Sequence, residues 1–412
     1  MKSMVCIRNR VALCLATALL LTAAGGCSLV NDPEPPAKEG GDVELTFRVV
    51  SAPNLTGHSG TRTDDKDHDE EDSQQPNVED YININDFQFH IFAGSSNDNA
   101  TLKLLYSCTK LADNLDVTYV GGMGVYDIHI TVSEETMNKF FGDAYDINSK
   151  TPVYFRVMAI ANSNASQAAT TPKEITGTDF SGMMTSANAL TYALPDNGYA
   201  LPMYGLGPWQ TTTLYELSDS RPEEPTSLGS VTLLRAVSKV RIADEIPRQP
   251  GNEYPRIASV TFTYDSESGY VLPANAETYA DGTQVHEVNI PTDQPTESRT
   301  IDLVSDMETV NNGVSTQSEP VFYGYCPEQT ITGNAPPYTG TPSFKITIKK
   351  SDTESEEYNV PMAGYKDKPF TWGNTLLRNH IYTLAIGMTV DQDIVITVCP
   401  RATFTTDIPP FQ

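Results

Sequence analysis

Short runs in which apolar and polar residues strictly alternate recur along this chain, and a period of two confines such runs to half-buried β-strands. The cleanest comes first. Val43, Leu45, Phe47 and Val49 are apolar, and Asp42, Glu44, Thr46 and Arg48 between them are polar. The pattern returns at Phe87, Phe89 and Ile91; at Tyr126, Ile128, Ile130 and Val132; and at Val153, Phe155, Val157 and Ala159. Further on it appears at Val231, Leu233 and Val237; at Val260, Phe262 and Tyr264; at Phe344, Ile346 and Ile348; and from Ile381 to Ile386. Gly, Pro, Asn and Asp separate the runs, which predicts a mainly β chain built as sandwiches. Only one stretch carries a clear helix start. Ser133 is placed to cap it, Glu134 and Glu135 suit its first turn, and Met137, Phe140 and Phe141 follow at helical spacing.

The N-terminus reads as a targeting segment. Lys2, Arg8 and Arg10 precede an uncharged apolar run from Val11 to Ala24, then Gly25, Gly26 and Cys27. That order describes a secretory signal peptide, 1–26, ending in a lipobox whose Cys27 thiol takes a diacylglycerol. The apolar run is shorter than the roughly 20 residues of a spanning helix. Residues 27–41 are rich in Pro, Glu and Gly and read as a tether. About 385 residues remain after the signal, more than one core usually serves. The acidic, Pro-rich stretch from Ser218 to Gly229 suggests the cut, giving β-sandwich domains at 42–229 and 230–400 and a tail at 401–412.

A formal charge of -26 argues against nucleic acid, whose binding rests on clustered Lys and Arg. The six histidines show no HExxH or paired spacing, and P-loop, GxGxxG and GxSxG motifs are missing. Catalytic carboxylate pairs are defined by distance in space, and the 53 acids single out none. The chain therefore reads as a protein without enzymatic activity, cofactor or metal. His90 and His129 alternate with apolar strand positions, which predicts that they face solvent. Of the cysteines beyond Cys27, Cys108 stands alone, while Cys326 and Cys399 could pair in an oxidising compartment or simply fill cores.

Two segments sit outside a plain sandwich. Between Gly57 and Asp80 the chain is almost wholly polar, with seven acids from Asp64 to Asp72. Their repulsion predicts an extended solvated loop, and the acid and glycine order of a calcium-binding EF-hand is missing. At the other end Ile394, Ile396, Val398, Ala402, Phe404 and Ile408 form an apolar stripe of even-numbered residues that runs past the usual strand length. Disordered tails tend to lack side chains such as Phe404, Ile408 and Phe411.

Several strings, taken in order, resemble the type V pilin (fimbrillin) family of the Bacteroidetes, lipoprotein-derived subunits of surface fimbriae. They are the lipobox cysteine, the strand Val43 to Val50 before a polar loop containing Arg62, and the strand Asp86 to Phe92. VMAIAN (Val157 to Asn162), LPMYG (Leu201 to Gly205), LRAVSKV (Leu234 to Val240) and LRNHIYTL (Leu377 to Leu384) complete the set. The resemblance implies two transthyretin-like β-sandwich domains in tandem and export to the outer membrane as a lipid-anchored precursor. It also implies cleavage by an arginine-specific protease after Arg62, with Arg48 the alternative, although Arg48 lies within a strand. The first strand, carrying Val43, Leu45, Phe47 and Val49, would then leave, and a C-terminal strand from another fimbrial subunit would fill its groove. The residues agree with this. An open apolar groove invites β-augmentation, and Ala402, Phe404, Ile408 and Phe411 are the candidate donor side chains. Head-to-tail strand donation builds open filaments at the cell surface. The long acidic loop departs from the family pattern, and a subunit left uncut would keep its own strand and sit at a filament end.

A second reading shares the fold. Twenty tyrosines with Trp209 and Trp372 suit a glycan-binding outer-membrane surface lipoprotein, since aromatic faces stack on sugar rings.

Overall fold

The computed structural model describes residues 41–51, 79–122, 124–142, 148–196, 198–220, 222, 224–248, 253–277, 287–291, 298–311, 316–333, 335–389, 393–398 and 402–403. The first half holds β1 (Val43–Ser51), β2 (Phe87–Gly94), β3 (Lys103–Cys108), β4 (Val117–Gly122), β5 (Val125–Val132), β6 (Pro152–Ala161), β7 (Thr191–Ala193), β8 (Met203–Leu206), β9 (Gln210–Thr213) and β10 (Thr226–Arg235). Next come β11 (Val237–Asp244), β12 (Arg256–Tyr264), β13 (Ser268–Tyr270), β14 (Arg299–Asp302), β15 (Val304–Asn311), β16 (Thr316–Pro327) and β17 (Gln329–Thr330). The chain closes with β18 (Ser343–Lys349), β19 (Ser355–Pro361), β20 (Gly364–Tyr365), β21 (Lys368–Pro369), β22 (Thr375–Leu376), β23 (His380–Met388), β24 (Ile394–Val398) and β25 (Ala402–Thr403). The helices are α1 (Glu134–Phe141), α2 (Phe180–Asn188) and α3 (Leu214–Leu217).

The chain is mainly β, as the alternation predicts. Its first ladder runs β3-β2-β6-β8-β10-β1-β5-β4, with β9 added to β6. β10 turns the corner: its Leu45- to Ser51-facing part pairs with β1, and its last residues, Leu234 and Arg235, pair with β8. The ladder thus folds back into two facing layers. Phe47 of β1 meets Phe89 of β2 edge to face at 5.0 Å between ring centroids, although the two strands are far apart in ladder order. The second sandwich sets β15-β16-β11-β23-β24 against β14-β12-β18-β19. Val240, Ile242, Phe322 and Leu384 from the first of these sheets share one core with Val260, Phe262, Phe344 and Ile346 from the second. The described residues form one compact unit around these two cores.

Several expectations change. The strand opened by Val231, expected to begin a second domain at 230, belongs to the first sandwich, where Leu228, Val231 and Leu233 are buried. The passage between sandwiches comes at Ala236, where β10 ends and β11 begins with no loop. Its backbone is tied there by Ala236 N donating to Pro202 O (2.7 Å) and the Tyr192 hydroxyl to Ala236 O (2.5 Å). A composition shift marks a linker, and this crossover has none.

His90 is fully buried instead of facing solvent, because β2 is covered on both faces. Its Nδ1 shares a hydrogen bond with Ser107 Oγ at 2.9 Å, and burial pushes the ring pKa down to about 3. α1 forms where predicted, with Ser133 Oγ accepting from Thr136 N. α2 and α3 add to it. Asp179 caps α2 by accepting from Gly182 N (2.7 Å), and Thr213 with Glu216 makes a capping box on α3. Cys108 and Cys326 are buried free thiols, raised by burial to about 11 and about 12, which suits core filling. Cys399 lies outside the described residues.

Candidate functional site

β1 is the element on which the functional reading turns, and it sits inside its sheet. It runs antiparallel to β5, from Val43 opposite Val132 to Val50 opposite Val125, and parallel to β10. The β10 side contains a bulge, since Thr46 faces Ser227 and Arg48 faces Ser230, and Gly229 takes φ +79° to make it. Val43, Leu45 and Val49 are fully buried and Phe47 is 2% exposed. Removing these four side chains would uncover a groove whose refilling is worth roughly 6 to 12 kcal/mol, at 1.5 to 3 each, as an upper bound.

The polar face of β1 is recognised residue by residue. Arg48 clasps Asp127 of β5 with both carboxylate oxygens engaged, Nε to Oδ1 at 2.6 Å and Nη2 to Oδ2 at 2.9 Å. This hydrogen-bonded pairing holds the Asp127 carboxyl below its usual range. Thr46 Oγ1 donates to Ile128 O (3.0 Å), and Thr131 Oγ1 donates to the Glu44 carboxylate. At the strand start, Glu44 N donates to Ser220 Oγ at 2.9 Å.

The far end of β1 meets a buried polar cluster. Ser51 N donates to Gly124 O (2.8 Å), and Ser51 Oγ donates to Asp80 Oδ1 (3.3 Å). Residues 52–78 lie outside the described residues, so the two flanks of that stretch stand within one hydrogen bond of each other. The downstream flank is held much more firmly. Arg235, fully buried on β10, donates from Nε to Glu79 O and from Nη2 to Asp80 Oδ1, each at 2.8 Å. Lys239 of β11 and the Tyr325 hydroxyl of β16 both donate to Glu79 Oε1. Burial pushes the Asp80 carboxyl up and Arg235 draws it back. A break within 52–78 would leave the stump at Glu79 and Asp80 held by four hydrogen bonds from β10, β11 and β16, and Ser51 is the residue of β1 that touches that stump.

Two further strings also form buried junctions. Arg378 pairs with Glu328 at 2.7 Å, both 1% exposed, and donates to Val271 O and Tyr270 O. Asn162, with φ 56°, accepts from Asn83 N and donates to Tyr81 O and Leu201 O.

The sequence candidates are distributed as follows. Val43, Leu45, Phe47 and Val49 line one face of one strand. Arg48 lies between two ladder partners and in an ion pair. Cys27, Arg62, Phe404, Ile408 and Phe411 lie outside the described residues. Ala402 is placed by its backbone alone: β25 pairs antiparallel with the start of β23, Ala402 opposite Ile381 and Thr403 opposite His380. It follows β24 along the same sheet edge with the register moved by one residue. Ser51, Asp80, Asp127 and Arg235 escaped sequence reasoning. Asp80 is one acid among many near the loop, and only pairing in space separates it from the rest. Trp372 is buried, with Nε1 donating to Met362 O at 3.0 Å, and Trp209 is half-covered beneath the Arg156 guanidinium. Trp372 therefore offers no open sugar-stacking face. Among the described residues no cluster of His, Cys, Asp or Glu could hold a metal ion, and no helix is long and apolar enough to cross a membrane.

No family model matches the sequence, and no curated protein matches it. Solved structures align with it at low identity. The tip fimbrial protein Mfa3 of Porphyromonas gingivalis, with a C-terminal truncation, is 14% identical with a TM-score of 0.43, over 87% of this chain and 99% of that one. A fimbrial assembly protein of Parabacteroides distasonis is 13% identical with a TM-score of 0.38, over 87% and 99%. A cell adhesion protein of Bacteroides ovatus is 11% identical with a TM-score of 0.40, over 90% and 100%.

Proposed function

We propose that the chain is a structural subunit of a surface fimbrium, exported as a lipoprotein through Cys27 and joined to other subunits by exchange of β1 for a donor strand. The observation that carries this reading is the placement of β1. It is a central strand whose four core side chains are buried, yet it precedes a 27-residue stretch, 52–78, whose flanks are adjacent. One cut in that stretch, at Arg62, frees β1 from the body without touching another strand of the ladder. The body then holds its new end through Glu79 and Asp80, and an apolar slot between β5 and β10 awaits a strand. Donation from one subunit into the next is head to tail and open-ended, as a filament requires. Adhesion at the cell surface follows from such an appendage.

Digestion of the purified full-length chain with an arginine-specific protease, read by intact-mass spectrometry and circular dichroism, tests this. The expected product is a folded body beginning at Thr63, with Arg48 uncut. Cleavage within the sheets, or a body that unfolds once Arg62 is cut and β1 still present, would contradict it. The glycan-binding reading has no observation in its favour: Trp372 is buried and Trp209 is half-covered.

A further inference from the structure

The groove under β1 has a readable specificity, and the chain's own tail does not meet it. On its apolar side the wall around Phe47 is built for an aromatic ring, with Phe89 packed edge to face at 5.0 Å and Ile128 opposite in the ladder. On its polar side, one position further on, Asp127 takes both nitrogens of Arg48 and would face an empty place once β1 leaves. A replacement strand in the polarity of β1 therefore needs apolar residues at alternate positions with an aromatic ring at the third, and a cation directly after it adds a smaller, part-exposed pairing with Asp127.

In the polarity of β1 the tail meets these demands in none of its even-numbered registers. With Ala402, Phe404 and Ile408 on the places of Val43, Leu45 and Val49, Thr406 replaces Phe47 and Asp407 replaces Arg48. The ring site is then underfilled, and two carboxylates face each other. If Ala402 and Thr403 keep their pairing with β23 and the donor starts at Phe404, Thr406 falls on Leu45 and Pro410 on Val49. Pro409 and Pro410 then enter the ladder without N–H groups. Shifted the other way, Phe404 does fall on Phe47, but Pro400 falls on Val43, Thr405 on Arg48, Thr406 on Val49 and Asp407 on the buried Val50. Each register puts Thr, Pro or Asp where the groove asks for an apolar, aromatic or basic side chain.

We infer that the groove accepts a strand from a different chain, with an aromatic residue followed by Lys or Arg at its centre, and that this subunit does not polymerise with itself. The inference rests on the reading of β1 as a removable strand. It gives the subunit a heterotypic neighbour on its acceptor side, which fixes its order in an assembly instead of letting it repeat.

Three synthetic peptides compete for the full-length chain cut at Arg62, with fluorescence anisotropy as readout: Asp42–Ser51, Arg401–Gln412, and Arg401–Gln412 carrying Thr406→Phe and Asp407→Arg. The native tail should bind at least about 100-fold more weakly than the Asp42–Ser51 peptide, the effect of losing a buried ring together with a charge reversal. The doubly substituted tail should recover most of the difference. A native tail that binds as tightly as the substituted one overturns heterotypic pairing and leaves strand exchange intact. Failure of the Asp42–Ser51 peptide itself to enter the cut chain overturns both.

Discussion

His90 shows how a single residue can contradict its local pattern. Alternation put it on the open face of a half-buried strand, but β2 lies under cover on both sides, and the ring is sealed with Nδ1 on Ser107. Alternation reports one buried face; it does not show when the other face is also covered by later parts of the chain. The burial has a consequence with a definite sign. The folded chain takes up this proton only near pH 3, whereas an unfolded histidine takes it up near 6.5. Across that window the unfolded state binds the extra proton. Stability from this group is therefore complete above about pH 6.5 and declines by about 1.4 kcal/mol per pH unit as the pH falls toward 3. Urea unfolding of the wild type and of His90→Gln between about pH 7 and 4 should show the smaller pH dependence in the variant. Parallel curves would assign the acid sensitivity to other groups. The residues that make the candidate site selective, Asp127 and Asp80, were equally hidden, because a sequence with so many acids does not reveal which are paired.

At the scale of elements, the alternating runs were readable because each strand repeats one simple constraint. β1, β2, β5, β6, β12 and β18 appear where the runs lie. β10 and β11 merged in the sequence because both alternate and a single residue, Ala236, divides them. The strings LRAVSKV and LRNHIYTL turned out to hold the buried cations Arg235 and Arg378, whose partners are backbone carbonyls and distant carboxylates. Gly205, in LPMYG, sits where an added Cβ would come within 2.6 Å of the Thr232 carbonyl oxygen, so β8 can pass β10 only with glycine there. Within β1 the two faces should differ sharply in weight. Phe47→Ala should destabilise the uncut chain by about 3–5 kcal/mol through the cavity it opens. Arg48→Ala should cost under about 1 kcal/mol, since its pair with Asp127 is part-exposed. Denaturant midpoints for the two variants check this, and comparable losses would mean that the polar face, not the core, retains the strand.

For the whole molecule, the arrangement joins two cores through a polar junction that lies downstream of β1. Glu79 and Asp80 are bound by β10, β11 and β16, elements of both sandwiches, so the body downstream of the loop is cross-tied whether or not β1 is present. β1 itself contributes four core side chains and the polar contacts of Glu44, Thr46 and Arg48. The account therefore stands or falls on whether β1 can be exchanged once its covalent link is cut. A labelled peptide of Asp42–Ser51, offered in excess to intact chain and to chain cleaved at Arg62, measures this directly. Uptake of one peptide per cleaved chain, with none by intact chain, is the predicted result. Equal exclusion from both would show that β1 is a permanent part of the fold and would contradict the account.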